Sequence, residues 1–228
     1  MLGADPTRGF VVGGGSAGGN IAAVLAHLAR DAGLSPPLTG QYLCVPSITS
    51  LMPPRDLPAR YRAEYLSHPS VTPSLDPVLI THWTDESRGA TTRADFAALL
   101  RVDLRDPLMT PFMYGMREEE GEGEGEGEGK GENKKKGNSE KHGHASLPPA
   151  YFQICGLDPL RDEGLLYERV LREEAGVTTR LDLYPGYGHY FWTNFPLLPR
   201  SREFVEDTVR GVRWLLERSK TEAEAEAA

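Results

Sequence analysis

Gly13-Gly14-Gly15-Ser16-Ala17-Gly18-Gly19-Asn20 is the stretch on which the fold turns. It lies between an apolar strand-like run, Gly9-Phe10-Val11-Val12, and a helix-like run, Ile21-Ala22-Ala23-Val24-Leu25. Within it, Gly14-Gly15-Ser16-Ala17-Gly18 fits G-x-S-x-G, the sharp strand-to-helix turn that presents a nucleophilic serine. Such a turn strains the serine backbone, and a side chain at position 14 or 18 is expected to collide with the neighbouring strand or helix. Gly13-x-Gly15-x-x-Gly18 also satisfies the dinucleotide-loop pattern, which wants an acidic residue about 20 positions on, at the end of the next strand. The next strand-like run ends Val45-Pro46-Ser47 without one, and no Lys-Ser/Thr follows the glycines to make a P-loop. The nucleophile reading is the stronger.

Working outward, a serine hydroxyl needs a general base, and the base needs a third group to orient it. Asp158 follows a strand-like run in Ile154-Cys155-Gly156-Leu157-Asp158-Pro159-Leu160. His189 follows another in Leu183-Tyr184-Pro185-Gly186-Tyr187-Gly188-His189. Residues just after the carboxyl ends of parallel strands gather at one sheet edge, where sites form. Ser16, Asp158 and His189 all occupy such positions. Asp158 has the competing role of capping the helix that follows, but Asp162, directly before Glu163 and the apolar periodicity, is better placed for that. The aromatic residues around His189, namely Tyr187, Tyr190, Phe191 and Trp192, point to a packed, shaped loop.

Four apolar runs read as strands: 9–13, 41–49, 150–156 and 179–184. They lack clean alternation, as strands covered on both faces do. Helical periodicity places Ile21, Val24, Leu25 and Leu28 on one face of 20–30. It places Leu165, Leu166, Val170 and Leu171 on a face of 162–175, which stops at Gly176. A third helix, 201–216, carries Phe204, Val205, Thr208, Val212, Leu215 and Leu216. Strand–helix alternation of this kind argues an α/β fold with a mostly parallel sheet flanked by helices.

The chain divides accordingly. Residues 1–49 carry the elbow strand, its helix and the next strand. Residues 50–116 are proline-rich and irregular, with helix candidates at 60–66 and 92–100, and suit a cap or lid. Residues 117–145 hold Glu-Glu-Glu, a Gly-Glu alternation and Lys134-Lys135-Lys136, and are expected to be a disordered low-complexity insertion. Residues 146–217 bring back the core, and 218–228 are expected to form a disordered tail, frayed from Thr221. His142 and His144 are expected to be solvated ends of the insertion rather than metal ligands. His27, His68 and His82 are expected to be structural or exposed. Tyr61, Tyr65 and Trp83 either line an acyl pocket or simply pack.

Composition narrows the function classes. The chain has 228 residues, a net charge of -8 and a pI near 5.3, which argues against nucleic-acid or anionic-membrane partners. Cys44 and Cys155 sit inside apolar runs and read as buried thiols of a reducing compartment. The N-terminus shows neither a basic nor an apolar leader region, and no apolar run approaches the about 18 residues of a membrane span. These features together indicate a cytoplasmic protein. Neither a metal nor an organic cofactor is indicated.

The motifs resemble the hormone-sensitive-lipase-like branch of the α/β-hydrolases, the fold-3 carboxylesterases. Residues 14–20 resemble that family's nucleophile elbow, Leu157-Asp158-Pro159-Leu160-Arg161-Asp162-Glu163-Gly164 its acid motif, and Tyr184-Pro185-Gly186 with Gly188-His189 its histidine loop. The likeness covers residues 3–116 and 145–217. It implies an α/β-hydrolase core acting on small-molecule esters, with Ser16 as nucleophile, Asp158 as orienting acid and His189 as base. It also implies an elbow of Gly14, Gly15 and Gly18, and an oxyanion-hole N–H from Ala17.

Two departures stand out. Gly15 occupies a position where the family commonly has an acidic residue, and Tyr190 stands where a glycine often follows the histidine. The resemblance also places a His-Gly-Gly oxyanion segment and further strands upstream of the elbow. The expectation for the chain as given is therefore the C-terminal part of the fold with a partial cap. The 9–13 strand would then present an unpaired apolar edge, marginally stable and inviting self-association. The alternative function is a catalytically impaired, hydrolase-like binding protein without that segment.

Overall fold

The computed structural model describes residues 5–49, 57–67, 101, 103–116 and 143–226. The helix candidate at 92–100, His68, His82, Trp83, His142, the Gly-Glu alternation and the lysine run lie outside the described residues, as does the side chain of Tyr65.

Strands β1 (Val11–Gly15), β2 (Gly40–Cys44), β3 (Ala150–Cys155) and β4 (Thr179–Tyr184) form one parallel sheet in that order. Parallel neighbours require crossovers. Helix α1 (Ala17–Asp31) supplies the first, residues 45–149 with α2 (Ala59–Ser67) the second, and α3 (Arg161–Arg169) with a π-helical turn (Val170–Glu174) the third. Gly176 then reverses the chain at φ +67° into β4. A short helix α4 (Phe191–Asn194) and a long helix α5 (Pro199–Glu226) complete the order.

The inner strands explain why their sequences do not alternate. On one face Leu43, Phe152 and Ile154 meet Ala22, Ala23 and Ala26 of α1 and Leu166 and Tyr167 of α3. On the other, Cys44, Cys155 and Tyr184 meet Phe191 and Phe204. Burial on both faces removes the polar half of the period-two pattern. A polar network also holds α5 in place. Buried Gln153 accepts from the Tyr42 hydroxyl (2.5 Å) and the Thr208 hydroxyl (2.8 Å), and donates to Tyr184 Oη (2.8 Å) and the Phe204 carbonyl (3.0 Å). A buried amide with both ends satisfied fixes one register of helix on sheet, where apolar contacts alone would allow sliding.

Several expectations are corrected. In α1 the face turned inward is Gly19, Ala22, Ala23, Ala26 and His27 with Val24, whereas Ile21, Leu25 and Leu28 are 58%, 44% and 42% exposed. Small residues at this spacing let the helix lie close to the sheet, so side-chain size misidentified the buried stripe. Likewise Val205 of α5 is exposed while Phe204 and Leu215 are buried.

The described parts of 50–116 reach into the core. Leu57, Tyr61, Phe112 and Met116 belong to the main core cluster, and the Tyr61 ring packs edge-on against Phe112 at 5.2 Å. The Tyr61 hydroxyl donates to Glu174, so Tyr61 packs against the α3 side of the core. Helix α5 continues through Glu226, past residue 217, where a disordered tail was expected. His144 is buried, not a solvated end of the insertion: its Nδ1 lies 3.0 Å from Nε2 of buried His27. Tyr114 stacks on His27 at 3.9 Å, and Arg30 donates to the Gly143 and Ala145 carbonyls. Residues 143–145 are therefore fixed to α1.

Candidate active site

The turn from β1 into α1 is built from backbone contacts that exclude side chains. Ser16 has φ 55° and ψ −116°, a conformation costly for an L-residue. Its N–H donates to the Cys44 carbonyl (2.9 Å), and its own carbonyl accepts from Asn20 N–H (3.1 Å) and Ser47 N–H (3.2 Å). A Cβ on Gly14 would lie 2.5 Å from the Gly18 carbonyl group, which explains that glycine. The collision expected at position 18 does not occur, since a Cβ there meets nothing within 4 Å. It falls instead at Gly15, against the Tyr190 hydroxyl, and at Gly19, 2.8 Å from Pro46 Cβ.

Asp158 and His189 are delivered by the turns after β3 and β4. These turns are stitched together: Gly156 N–H donates to the Tyr184 carbonyl (2.8 Å) and Leu157 N–H to the Tyr187 carbonyl (2.9 Å). Asp158 is 1% exposed. One of its oxygens, Oδ1, accepts from Leu160 N–H (2.8 Å), while Oδ2 lies 2.7 Å from His189 Nδ1. The cap-like role and the orienting role thus fall to the same residue, one oxygen each. Asp162 was the expected cap, but it lies inside the first turn of α3, where Arg161 pairs with it (2.8 Å).

His189 Nε2 lies 3.1 Å from Ser16 Oγ. A carboxylate oxygen only accepts, so Nδ1 carries the proton and Nε2 is left to accept from the serine hydroxyl. The structure therefore brings Ser16, His189 and Asp158 into one hydrogen-bonded line. Ala17 is the first residue of α1, and its N–H is one of the donors that a helix cannot use internally. The arrangement can move a proton from the serine oxygen to the imidazole as the oxygen attacks a carbonyl carbon.

The surroundings fix this line. Trp192 stacks on Phe204 at 3.8 Å and 9°, and Tyr187 lies 4.4 Å from Phe191, so the histidine loop is packed as its aromatic content suggested. Burial pushes the Cys44 thiol up to about 12, so Cys44 is an inert thiol beside this line. Cys44 and Cys155 are both buried and free. Among the described residues no group of three or more His, Cys, Asp or Glu side chains could hold a metal ion.

Sequence reasoning gave Asn20 no role. Its Nδ2 donates to the Ser47 carbonyl (2.8 Å) and the Met109 carbonyl (3.0 Å), tying two loops to the first turn of α1. An amide in the first turn after a small-residue elbow was the available signal. Thr49 was also passed over; its N–H and hydroxyl both donate to Glu163 Oε2 at 2.5 Å, joining the loop after β2 to α3.

Known proteins share this architecture. A model of the alpha/beta hydrolase fold matches residues 1–114 and 134–193. An AB hydrolase superfamily protein of Schizosaccharomyces pombe is 34% identical over 97% of this chain and 53% of its own length. The carboxylesterase NlhH of Mycobacterium tuberculosis is 33% identical over 92% of this chain and 51% of its own length. Among solved structures, vibralactone cyclase aligns with a TM-score of 0.66 and 32% identity, covering 95% of this chain and 52% of that one. The chain spans about half the length of the relatives it matches. With the matched model covering most of its residues and the elbow, acid and histidine turns meeting at one sheet edge, the chain belongs to the alpha/beta hydrolase fold family.

Proposed function

We propose that this protein hydrolyses carboxylic esters of small to medium acyl chains through an acyl-enzyme on Ser16. The observation that carries the reading is the continuous line from Asp158 Oδ2 through His189 to Ser16 Oγ, at 2.7 and 3.1 Å. Ser16 Oγ attacks the ester carbonyl while Nε2 takes its proton, and Asp158 stabilises the imidazolium that forms. The Ala17 N–H donates to the developing oxyanion, and the imidazolium returns the proton to the departing alkoxide. Water, deprotonated by the same nitrogen, then releases the acid.

The relatives named as carboxylesterases support an ester substrate, and the acidic chain favours uncharged ones. Free buried thiols fit a reducing compartment, and the proposed setting is the cytoplasm. Among the described residues no helix is long and apolar enough to cross a membrane. Strand β1 lies at the sheet edge and pairs only with β2 among the described residues, so its outer edge is proposed to pair with a second copy, which sedimentation against concentration would detect.

A second reading is a hydrolase-like protein that keeps the three residues without turnover. Hydrolysis of p-nitrophenyl butyrate separates the two. Turnover that disappears in Ser16→Ala supports the esterase, and equal rates in both proteins remove the mechanism.

A further inference from the structure

The two departures from the family pattern, Gly15 and Tyr190, are one feature in space. Gly15 immediately precedes Ser16, and Tyr190 immediately follows His189. A Cβ built on Gly15 would fall inside the van der Waals envelope of the Tyr190 hydroxyl and 3.2 Å from its ring Cζ. The phenol thus sits where any side chain at position 15 would begin. Beside this contact, one residue along each strand of chain, lies the 3.1 Å pair of His189 Nε2 and Ser16 Oγ.

The backbone shows that Tyr190 is held there at a cost. It adopts φ 55° and ψ 29°, the left-handed region, which is unfavourable for a residue with a Cβ. Glycine would relieve that strain, so the side chain must offset it by its contacts. The contacts are specific. The Tyr190 ring meets the His189 ring at 4.7 Å and 86°, and the Trp192 ring at 4.9 Å. Trp192 in turn is stacked on Phe204 of α5. Burial raises the phenol pKa, so the hydroxyl stays neutral where it touches the elbow.

We propose that Tyr190 is a positioning residue for His189, its phenol seated on Gly15 so that the imidazole is held at a fixed distance from Ser16. The aromatic chain through Trp192 to Phe204 anchors the outer end of this brace, and Gly15 is the socket at its inner end. With Tyr190 seated this way, position 15 has no room for a side chain. This inference rests on the serine-hydrolase reading for its kinetic consequence, but its geometry can be read independently.

The test uses the full chain with Tyr190→Ala, Tyr190→Phe, Gly15→Ala and the double variant Gly15→Ala/Tyr190→Ala. Three quantities are measured: the rate of Ser16 labelling by a fluorophosphonate, the thermal midpoint, and the NMR resonance of the His189 Nδ1 proton. Tyr190→Ala is expected to slow labelling at least tenfold and to shift or broaden the Nδ1 resonance, and Tyr190→Phe, which keeps the ring, to restore most of both. Gly15→Ala is expected to slow labelling comparably, while the double variant loses no more than Tyr190→Ala alone, because the clash has gone. Wild-type labelling in Tyr190→Ala, or losses that multiply in the double variant, would overturn the proposal. If the unmodified chain is not labelled at all, the hydrolase reading fails on its own, and the Nδ1 resonance still decides. Unchanged by Tyr190→Ala, it overturns the brace; shifted and restored by Phe, it supports it.

Discussion

His27 Nε2 and His144 Nδ1 lie 3.0 Å apart, both rings buried, joining the middle of α1 to a residue 117 positions later. His27 Nδ1 faces the Ala23 carbonyl at 2.8 Å, so that nitrogen carries a proton and Nε2 accepts from His144. Burial, the largest cause, lowers the pKa of His27 well below 6.5 and that of His144 to about 4. The folded form thus excludes protons that the unfolded chain takes up below about pH 6.5.

Stability is therefore complete above pH 6.5 and is expected to fall as the pH drops from there towards 4, by the order of a few kcal/mol. Urea unfolding at pH 7.5, 6, 5 and 4 reads this directly. His144→Phe should flatten the decline. A pH profile as steep in that variant as in the unmodified chain would remove His144 as its source.

The elbow glycines divide sharply. Gly14→Ala places a methyl 2.5 Å from backbone that cannot move aside, and is expected to cost about 1–3 kcal/mol or more. Gly18→Ala meets open space inside a helix and is expected to be neutral or to stabilise by about 0.5–1 kcal/mol. Thermal midpoints of the two variants check this. Equal loss in both would mean that the elbow packs differently.

How far this could be read from the sequence depends on which physical signal each feature leaves. The parallel α/β order and the gathering of Ser16, Asp158 and His189 were legible because strand ends and turn glycines leave local marks. The buried face of α1 was not, because periodicity weighted Ile21, Leu25 and Leu28 over the small residues Gly19, Ala22, Ala23 and Ala26 that allow close helix–sheet approach. The burial of His144 was invisible, since its partner His27 is distant in sequence and its neighbours are low complexity. Asp158 was read as the orienter with Asp162 as the cap, although two carboxylate oxygens let Asp158 hold both the Leu160 N–H and His189. The Gly15–Tyr190 contact appeared only as two separate oddities, because nothing local links positions 175 residues apart.

Asp158→Asn tests the orienting role. An amide can still accept from Leu160 N–H, so the thermal midpoint is expected to change by only a few degrees. Beside His189 Nδ1 the amide cannot act as the carboxylate does, and it favours the wrong tautomer. Reaction at Ser16 is expected to fall about 10³–10⁴-fold, as loss of this charge does in related triads. Labelling kinetics and a melting curve on the same sample check both halves.

Activation of the Ser16 hydroxyl by His189 is open to covalent labelling. The full chain is incubated with a fluorophosphonate, digested, and read by mass spectrometry alongside Ser16→Ala and His189→Ala. One adduct is expected, on the peptide that carries Ser16, absent from Ser16→Ala and slowed at least a hundredfold in His189→Ala. No adduct on Ser16 in the unmodified chain, or labelling at the same rate without His189, would contradict it.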